Sequence, residues 1–232
     1  MRIRERVKTG WWRAALVAAA VGVAAFSRDD PFAGVFGLVP ILVWCGALAR
    51  SPRTGVTVGL VLVALLAWFV LPRELDLTGP WVPWAVEVYW LHTALAAVVC
   101  AIGALVERRP AGVVWLPAMV LAGLVVTGFA LFSRWETPPG NEGVWPGPAQ
   151  LRITEHESCG SHSCSRILEA TGDRAPEVLR EHLAAGNFAP APGGITRVPR
   201  FCRSTGIVVT HTVCAELRTL AANAAQVEWY VN

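Results

Sequence analysis

Two imidazoles and two thiols fall within nine residues where His156 to Cys164 read HESCGSHSC. His156, Cys159, His162 and Cys164 are ligand types suited to zinc or copper, but their spacing follows no familiar zinc pattern. As a redox pair, Cys159 and Cys164 lack the two-residue spacing and the helix N-terminus that lower a thiol pKa. As a nucleophile, Ser161 or Ser163 beside His162 would need an orienting group and an oxyanion hole, and the sequence offers neither. A disulfide framework suits the residues better. With Cys202 and Cys214, Cys159 and Cys164 make an even set of four, sufficient to staple a small domain in an oxidising compartment. The expected metal set is therefore none, with His156 and His162 as the ligands a metal would use, and no cofactor is implied.

A second group with chemical potential lies in WAVEVYWLH, where Glu87 and His92 interrupt an apolar run. Ionisable groups inside a membrane segment mark ion or substrate pathways when they face a shared cavity. Five positions on an α-helix separate them by about 140°, off a common face. Glu87 reads as an outer-interface carboxylate, solvated among tryptophans, with no need of a buried partner. His92 is the less easily explained of the two. Cys45 and Cys100 read as small apolar packing residues, and His211 as a hydrogen-bonded core residue.

Composition says what must hold these residues. Of 232 residues, 54% are hydrophobic and 16% charged, and the mean hydropathy of +0.46 is too high for an ordinary soluble domain. The net charge of +3 is small and no basic residues interleave with aromatics in a soluble segment, so no nucleic-acid partner is expected. Lys8 is the only lysine, a bias typical of GC-rich bacterial genomes. Apolar runs at 11–26, 32–49, 55–71, 83–106 and 112–132 each approach the roughly 20 residues of a membrane-spanning helix. Their connections, SRDDP, RSPRT, PRELDLTGP and ERRPA, carry turn and charge signals. Gly55 and Gly59 form one GxxxG, a helix-packing signal, and Pro40 and Pro117 are expected to kink their helices.

Arginines set the orientation. Arg2, Arg4, Arg6, Lys8 and Arg13 precede or open the first run, and Arg50, Arg53, Arg108 and Arg109 fill the second and fourth connections. In the other two connections acids offset the arginines, Arg28 against Asp29 and Asp30, Arg73 against Glu74 and Asp76. By the positive-inside rule the N-terminus is cytoplasmic, and five crossings leave the C-terminus extracytoplasmic. The first run also resembles a secretory signal peptide but has no strong small-residue cleavage site before a polar start. Its removal would leave four crossings with the same tail location.

Beyond residue 133 the composition changes through a Pro- and Gly-rich linker, 134–149, into a mixed polar domain, 150–232. Residues 150–154 and 164–170 read as strands. GDRAPEVLREHLAAGN reads as a helix with Asp173 as N-cap, Pro176 in its first turn, an apolar face of Val178, Leu179, His182 and Leu183, and Gly186 at its end. Ile207 to Leu217 alternates as one strand, and 227–231 as another. The fold class that follows is a membrane all-α helical bundle of about five transmembrane helices, then a small α+β, disulfide-stapled extracytoplasmic domain. If Gly206 to Leu217 is one strand, Gly206 and Cys214 stand about 26 Å apart at ~3.3 Å per residue. The steps from Cys202 to Gly206 reach at most ~14 Å, and bridged cysteines need Cα atoms within about 7 Å. Cys202–Cys214 is thus disfavoured, and each of Cys159 and Cys164 is expected to pair with one of Cys202 and Cys214, in either order.

The pattern CGSHSCSRILEATGDRAPEVLREHLAAG, followed by FC and VVTHTVCAEL, resembles the Cys-bearing extracytoplasmic tails of uncharacterised actinobacterial multi-pass membrane proteins. The resemblance covers the tail, under half the chain, and implies an exported, Cys-stapled domain without a known activity. No phosphate-cradling Gly loop, HExxH, GxSxG or CxxC occurs. Three function classes follow. The leading one is an integral membrane protein presenting an extracytoplasmic interaction or sensing domain, whose partners are the lipid bilayer and an external protein or small molecule. The second is a transporter or channel subunit using Glu87 and His92. The third is a thiol or metal-dependent enzyme using the Cys/His cluster.

Overall fold

The computed structural model describes residues 2–28, 30–108, 114–135, 137–160, 164–192 and 198–231. Asp29, Arg109 and residues 161–163, with His162, Ser161 and Ser163, lie outside them. The chain forms two units, Met1–Leu75 with Pro83–Ala130, and Asp76–Val82 with Leu131–Asn232.

The first unit is helical. Its elements are α1 (Arg2–Ala24), α2 (Pro31–Gly37), α3 (Val39–Val43) running into a π-helical turn (Trp44–Leu48), α4 (Pro52–Glu74), a second π-helical turn (Val88–His92) opening α5 (Thr93–Val106), and most of α6 (Trp115–Trp135). Four stretches are long and apolar enough to cross a membrane: Pro31–Leu48, Pro52–Glu74, Val88–Val106 and Trp115–Arg134. The apolar part of α1, Gly10–Ala24, is shorter. The connection signals act as caps. Asp30 accepts a hydrogen bond from the Ala33 N–H at 3.0 Å ahead of Pro31, and Ser51 one from the Thr54 N–H at 3.2 Å ahead of Pro52. Each side chain satisfies a donor that the first helical turn leaves free. Around Pro40 the run breaks at Leu38, and the proline opens α3. Pro117 does not kink α6. It lies in the first turn, where a missing N–H costs nothing.

Gly55 and Gly59 let α1 approach α4. A Cβ at Gly55 would collide with the Trp12 ring, and one at Gly59 with the Leu16 side chain. Trp44, Leu62, Leu66, Ala96 and Cys100 complete a buried core with them. The Trp44 indole N–H donates to the Gly55 carbonyl at 3.0 Å, satisfying the one polar atom of a fully buried tryptophan.

The second unit is a six-stranded antiparallel sheet carrying one helix. Its strands are β1 (Arg152–Cys159), β2 (Cys164–Thr171), β3 (Ala189–Ala191), β4 (Arg200–Thr205), β5 (His211–Ala221) and β6 (Ala224–Val231), in the order β1-β2-β6-β5-β4-β3. Between β2 and β3, α7 (Ala175–Ala185) crosses the sheet and packs on β5 and β6. Leu179 and Leu183 of α7 meet Leu168, Val213, Ala215, Leu217, Val227 and Trp229 from alternate positions of the strands. By this period-2 pattern the other face of the sheet carries no helix among the described residues of this unit and is in that sense uncovered. Arg174 rather than Asp173 occupies the N-cap, in a left-handed conformation, φ 49°, without a side-chain cap. At the other end Gly186 has φ −77°, and Asn187 supplies the left-handed residue at φ 61°.

The Pro- and Gly-rich stretch before β1 packs into this unit. Val144 is buried in its core, the Trp229 indole N–H donates to the Gly140 carbonyl at 3.0 Å, and the His182 ring shares a 3.0 Å hydrogen bond with the Val144 carbonyl. Asp76–Val82 belongs here too. The Gly79 N–H donates to the Ser204 carbonyl at 3.0 Å and the Gly206 N–H to the Val82 carbonyl at 2.7 Å. Since β3 pairs only with Arg200–Cys202, this segment continues the edge of β4 after β3 stops.

Disulfide connectivity reverses the expectation. Cys159 pairs with Cys164, directly opposite it in the β1–β2 hairpin, and Cys202 with Cys214, opposite it across β4 and β5. The error lay in the strand. Ile207 to Thr210 form a turn and β5 starts at His211, so the chain reverses where the alternation suggested continuation. Gly206 permits the reversal. Its φ is +111°, and a Cβ there would run into the Val209 carbonyl. The alternation of His211, Val213, Ala215 and Leu217 is real and faces the core.

Candidate functional site

Polar clusters with chemical potential lie in both units, and the first is in the helical unit. Glu87 is not solvated: it is 0% exposed. Its Oε2 accepts the Trp84 backbone N–H at 2.9 Å, the reach-back half of a capping box at the start of a helix. The start of a helix leaves its first N–H groups without intrahelical partners, and here a carboxylate three residues on satisfies one. His92, 1% exposed, lies edge-on to Phe69 with ring centroids 5.4 Å apart. Its Nδ1 has no hydrogen-bond partner among the described residues. Glu87 immediately precedes the π turn and His92 ends it. Such i→i+5 turns recur at functional sites, and the wider turn narrows the ~140° an α-helix would set between the pair.

Beside them runs a polar network that the sequence reading missed. The Tyr89 hydroxyl donates to the Asp30 carboxylate, 3.2 Å from each oxygen. The Ser27 hydroxyl donates to the Asp30 carbonyl at 2.8 Å, and Arg73 Nη2 donates to Ser27 Oγ at 3.3 Å. Glu74 accepts the Arg28 N–H at 3.1 Å and lies 3.7 Å from Arg73. The acids beside Arg28 and Arg73, read as charge offset for orientation, also tie the first connection to the end of α4. Pairing of separate connections is not a local signal, so only the charge types hinted at it.

In the sheet unit, Glu142 stands 3.5 Å from His211 Nε2, and Arg203 is close by. Burial alone would raise the Glu142 carboxyl, but His211, then Arg203 and Arg134, outweigh it and hold the group below the ordinary carboxylate range. His211 thus ends the core face of β5 against a buried carboxylate. Glu142 lies in a stretch that composition marked only as linker.

The third cluster is the uncovered sheet face. The Tyr230 hydroxyl donates to Glu216 Oε1 at 3.1 Å, Arg218 bridges Glu228 at 3.4 Å and Glu216 at 3.8 Å, and the Ser165 hydroxyl donates to Glu228 at 2.9 Å. The Arg200 guanidinium lies 5.6 Å from the centre of the Tyr230 ring. Burial, followed by the charge of Glu216, pushes the Tyr230 phenol above its usual range.

The opening motif is dispersed. His156 faces the uncovered side, 3.9 Å from Glu169, while Cys159 faces the other and is bonded to Cys164. With both sulfurs oxidised, Cys159 and Cys164 offer no thiolate as a metal ligand or redox group, while Ser161, His162 and Ser163 lie outside the described residues. Cys45 and Cys100 are free and buried in the helical unit. No group of three or more His, Cys, Asp or Glu residues able to hold a metal ion occurs among the described residues. No protein-family model, curated protein or solved structure matches the chain.

Proposed function

We propose that this is a multi-pass membrane protein, N-terminus cytoplasmic, that presents its sheet unit outside the cytoplasm as an interaction or sensing module. The uncovered sheet face carries this reading. It offers an aromatic ring, two arginines and two glutamates already held by mutual hydrogen bonds and ion pairs, so a polar protein segment or small molecule binds without first ordering them. The two disulfides support the compartment, and the four long apolar helices support the anchor.

Two measurements test it. Protease added to intact spheroplasts should remove the sheet unit, and protection until lysis would sink the orientation. A photo-crosslinking residue at Gln226, on the uncovered face, should give a discrete adduct in living cells, with none from the same residue at exposed Glu181 on α7. Equal labelling at both would remove the case for a binding face.

Burial of Glu87 and His92 beside a π turn favours a second reading, a transporter or channel subunit. Under it, His92→Phe abolishes flux while the sheet unit stays folded.

A further inference from the structure

The turn between β4 and β5 has the wrong composition for water. Hairpin loops favour Gly, Asn, Asp and Ser, which supply special backbone angles or bond their own backbone. Here Gly206 is followed by Ile207, Val208 and Val209, with Val208 61% and Val209 45% exposed. β-Branched residues gain nothing from a turn and lose the burial their side chains favour. What covers them is indicated by the segment on which the hairpin rests. Gly206 is hydrogen-bonded to Val82 and Ser204 to Gly79. Asp76–Val82 is the connection between two of the apolar stretches, Pro52–Glu74 and Val88–Val106, so where those cross a membrane it lies at the membrane surface. Trp81 in this segment is itself 49% exposed, and Leu77 is exposed as well. Tryptophan at such a position is the usual anchor at headgroup level. Residues 207–209 follow directly on Gly206, which is bonded to Val82, so they lie within about 10 Å of Gly206 at ~3.5 Å per residue. That is the depth to which interfacial elements enter the headgroup and acyl boundary.

We infer that the β4–β5 hairpin tip, Ile207 to Val209, together with Trp81, inserts into the interface of the bilayer that the helical unit spans. The inference rests on the membrane-spanning reading above and adds a second, peripheral attachment through the sheet unit. The lipid is recognised by its apolar boundary, with no headgroup-specific contact.

The test uses the full-length protein in phosphatidylcholine vesicles, with an environment-sensitive fluorophore on a single introduced cysteine. Cys45 and Cys100 are buried, and intact disulfides are checked by non-reducing peptide mapping. Val208→Cys and Val209→Cys report the tip, so that one misfolding variant leaves the other. Phe129→Cys, on the exposed side of α6, reports the span, and Leu220→Cys is the control, an equally apolar exposed site at the far end of β5. That control lies roughly 30 Å from the tip at ~3.3 Å per residue. Lipid carrying a doxyl quencher near the headgroup should quench the tip labels several-fold more than the Leu220 label. Tip labels quenched no more than Leu220, with Phe129 quenched, would overturn the inference and leave the spanning reading intact. An unquenched Phe129 would overturn both.

Discussion

At the scale of single residues, Glu87 shows how a carboxylate is retained in an apolar setting. Its carboxylate accepts the part-buried Trp84 N–H at the start of a helix, and removing that acceptor costs the hydrogen bond. Glu87→Ala should therefore lower unfolding stability by about 1–3 kcal/mol. Glu87→Gln, which keeps a carbonyl acceptor, should cost less, and detergent-solubilised thermal unfolding compares the two. Glu142 makes the complementary case outside the helices. Its folded-state pKa is depressed, so its ionised form contributes stability that is present above the ordinary carboxylate range and is lost as pH falls through the folded value. Glu142→Gln should flatten the acid limb of a plot of melting temperature against pH, and an unchanged limb would show that the pair with His211 is inert. Neither environment was legible in the sequence. Residue type marked Glu87 as unusual, but whether flanking chain closes over it depends on contacts that no local pattern encodes.

Elements were more legible, to the extent that their signals are local. The apolar runs and the amphipathic face of α7 are spaced within a turn or two, and four of the five runs form stretches of spanning length near where the periodicity places them, the first being shorter. The β4–β5 reversal was not, because apolar residues in the turn keep the alternation going past the end of the strand. From that one misreading the disulfide pairing followed wrongly. Register, not loop length, chose the partners: each cysteine bonds the residue opposite it. In the chain-entropy model the Cys202–Cys214 bond contributes about 3 kcal/mol and the shorter Cys159–Cys164 loop about 2. Replacing both members of each pair by Ser and comparing melting temperatures should show the larger drop for Cys202 and Cys214. In the helical unit, Gly59→Val should cost about 1–3 kcal/mol by overpacking against Leu16. Gly128→Val, where no atom lies within 4 Å of the added carbon, serves as the control in the same assay.

For the molecule as a whole, composition alone separated an apolar first half from a polar tail, and the two units broadly follow that division. Its exception is Asp76–Val82, a connection between apolar helices that belongs to the sheet unit. The sheet is therefore not a contiguous piece of chain. Synthesis delivers its last edge segment first, long before β4 exists, and the edge closes only when the tail folds back onto it. A fragment beginning at Leu131 would carry every strand and both disulfides yet leave the Ser204 carbonyl and the Gly206 N–H without their partners. Bare strand edges of this kind recruit other chains. Such a fragment should self-associate in sedimentation, and adding a peptide of residues 76–82 should return it to monomer. Anyone cutting this protein for crystallisation would be removing a strand edge that the tail's own sequence does not contain.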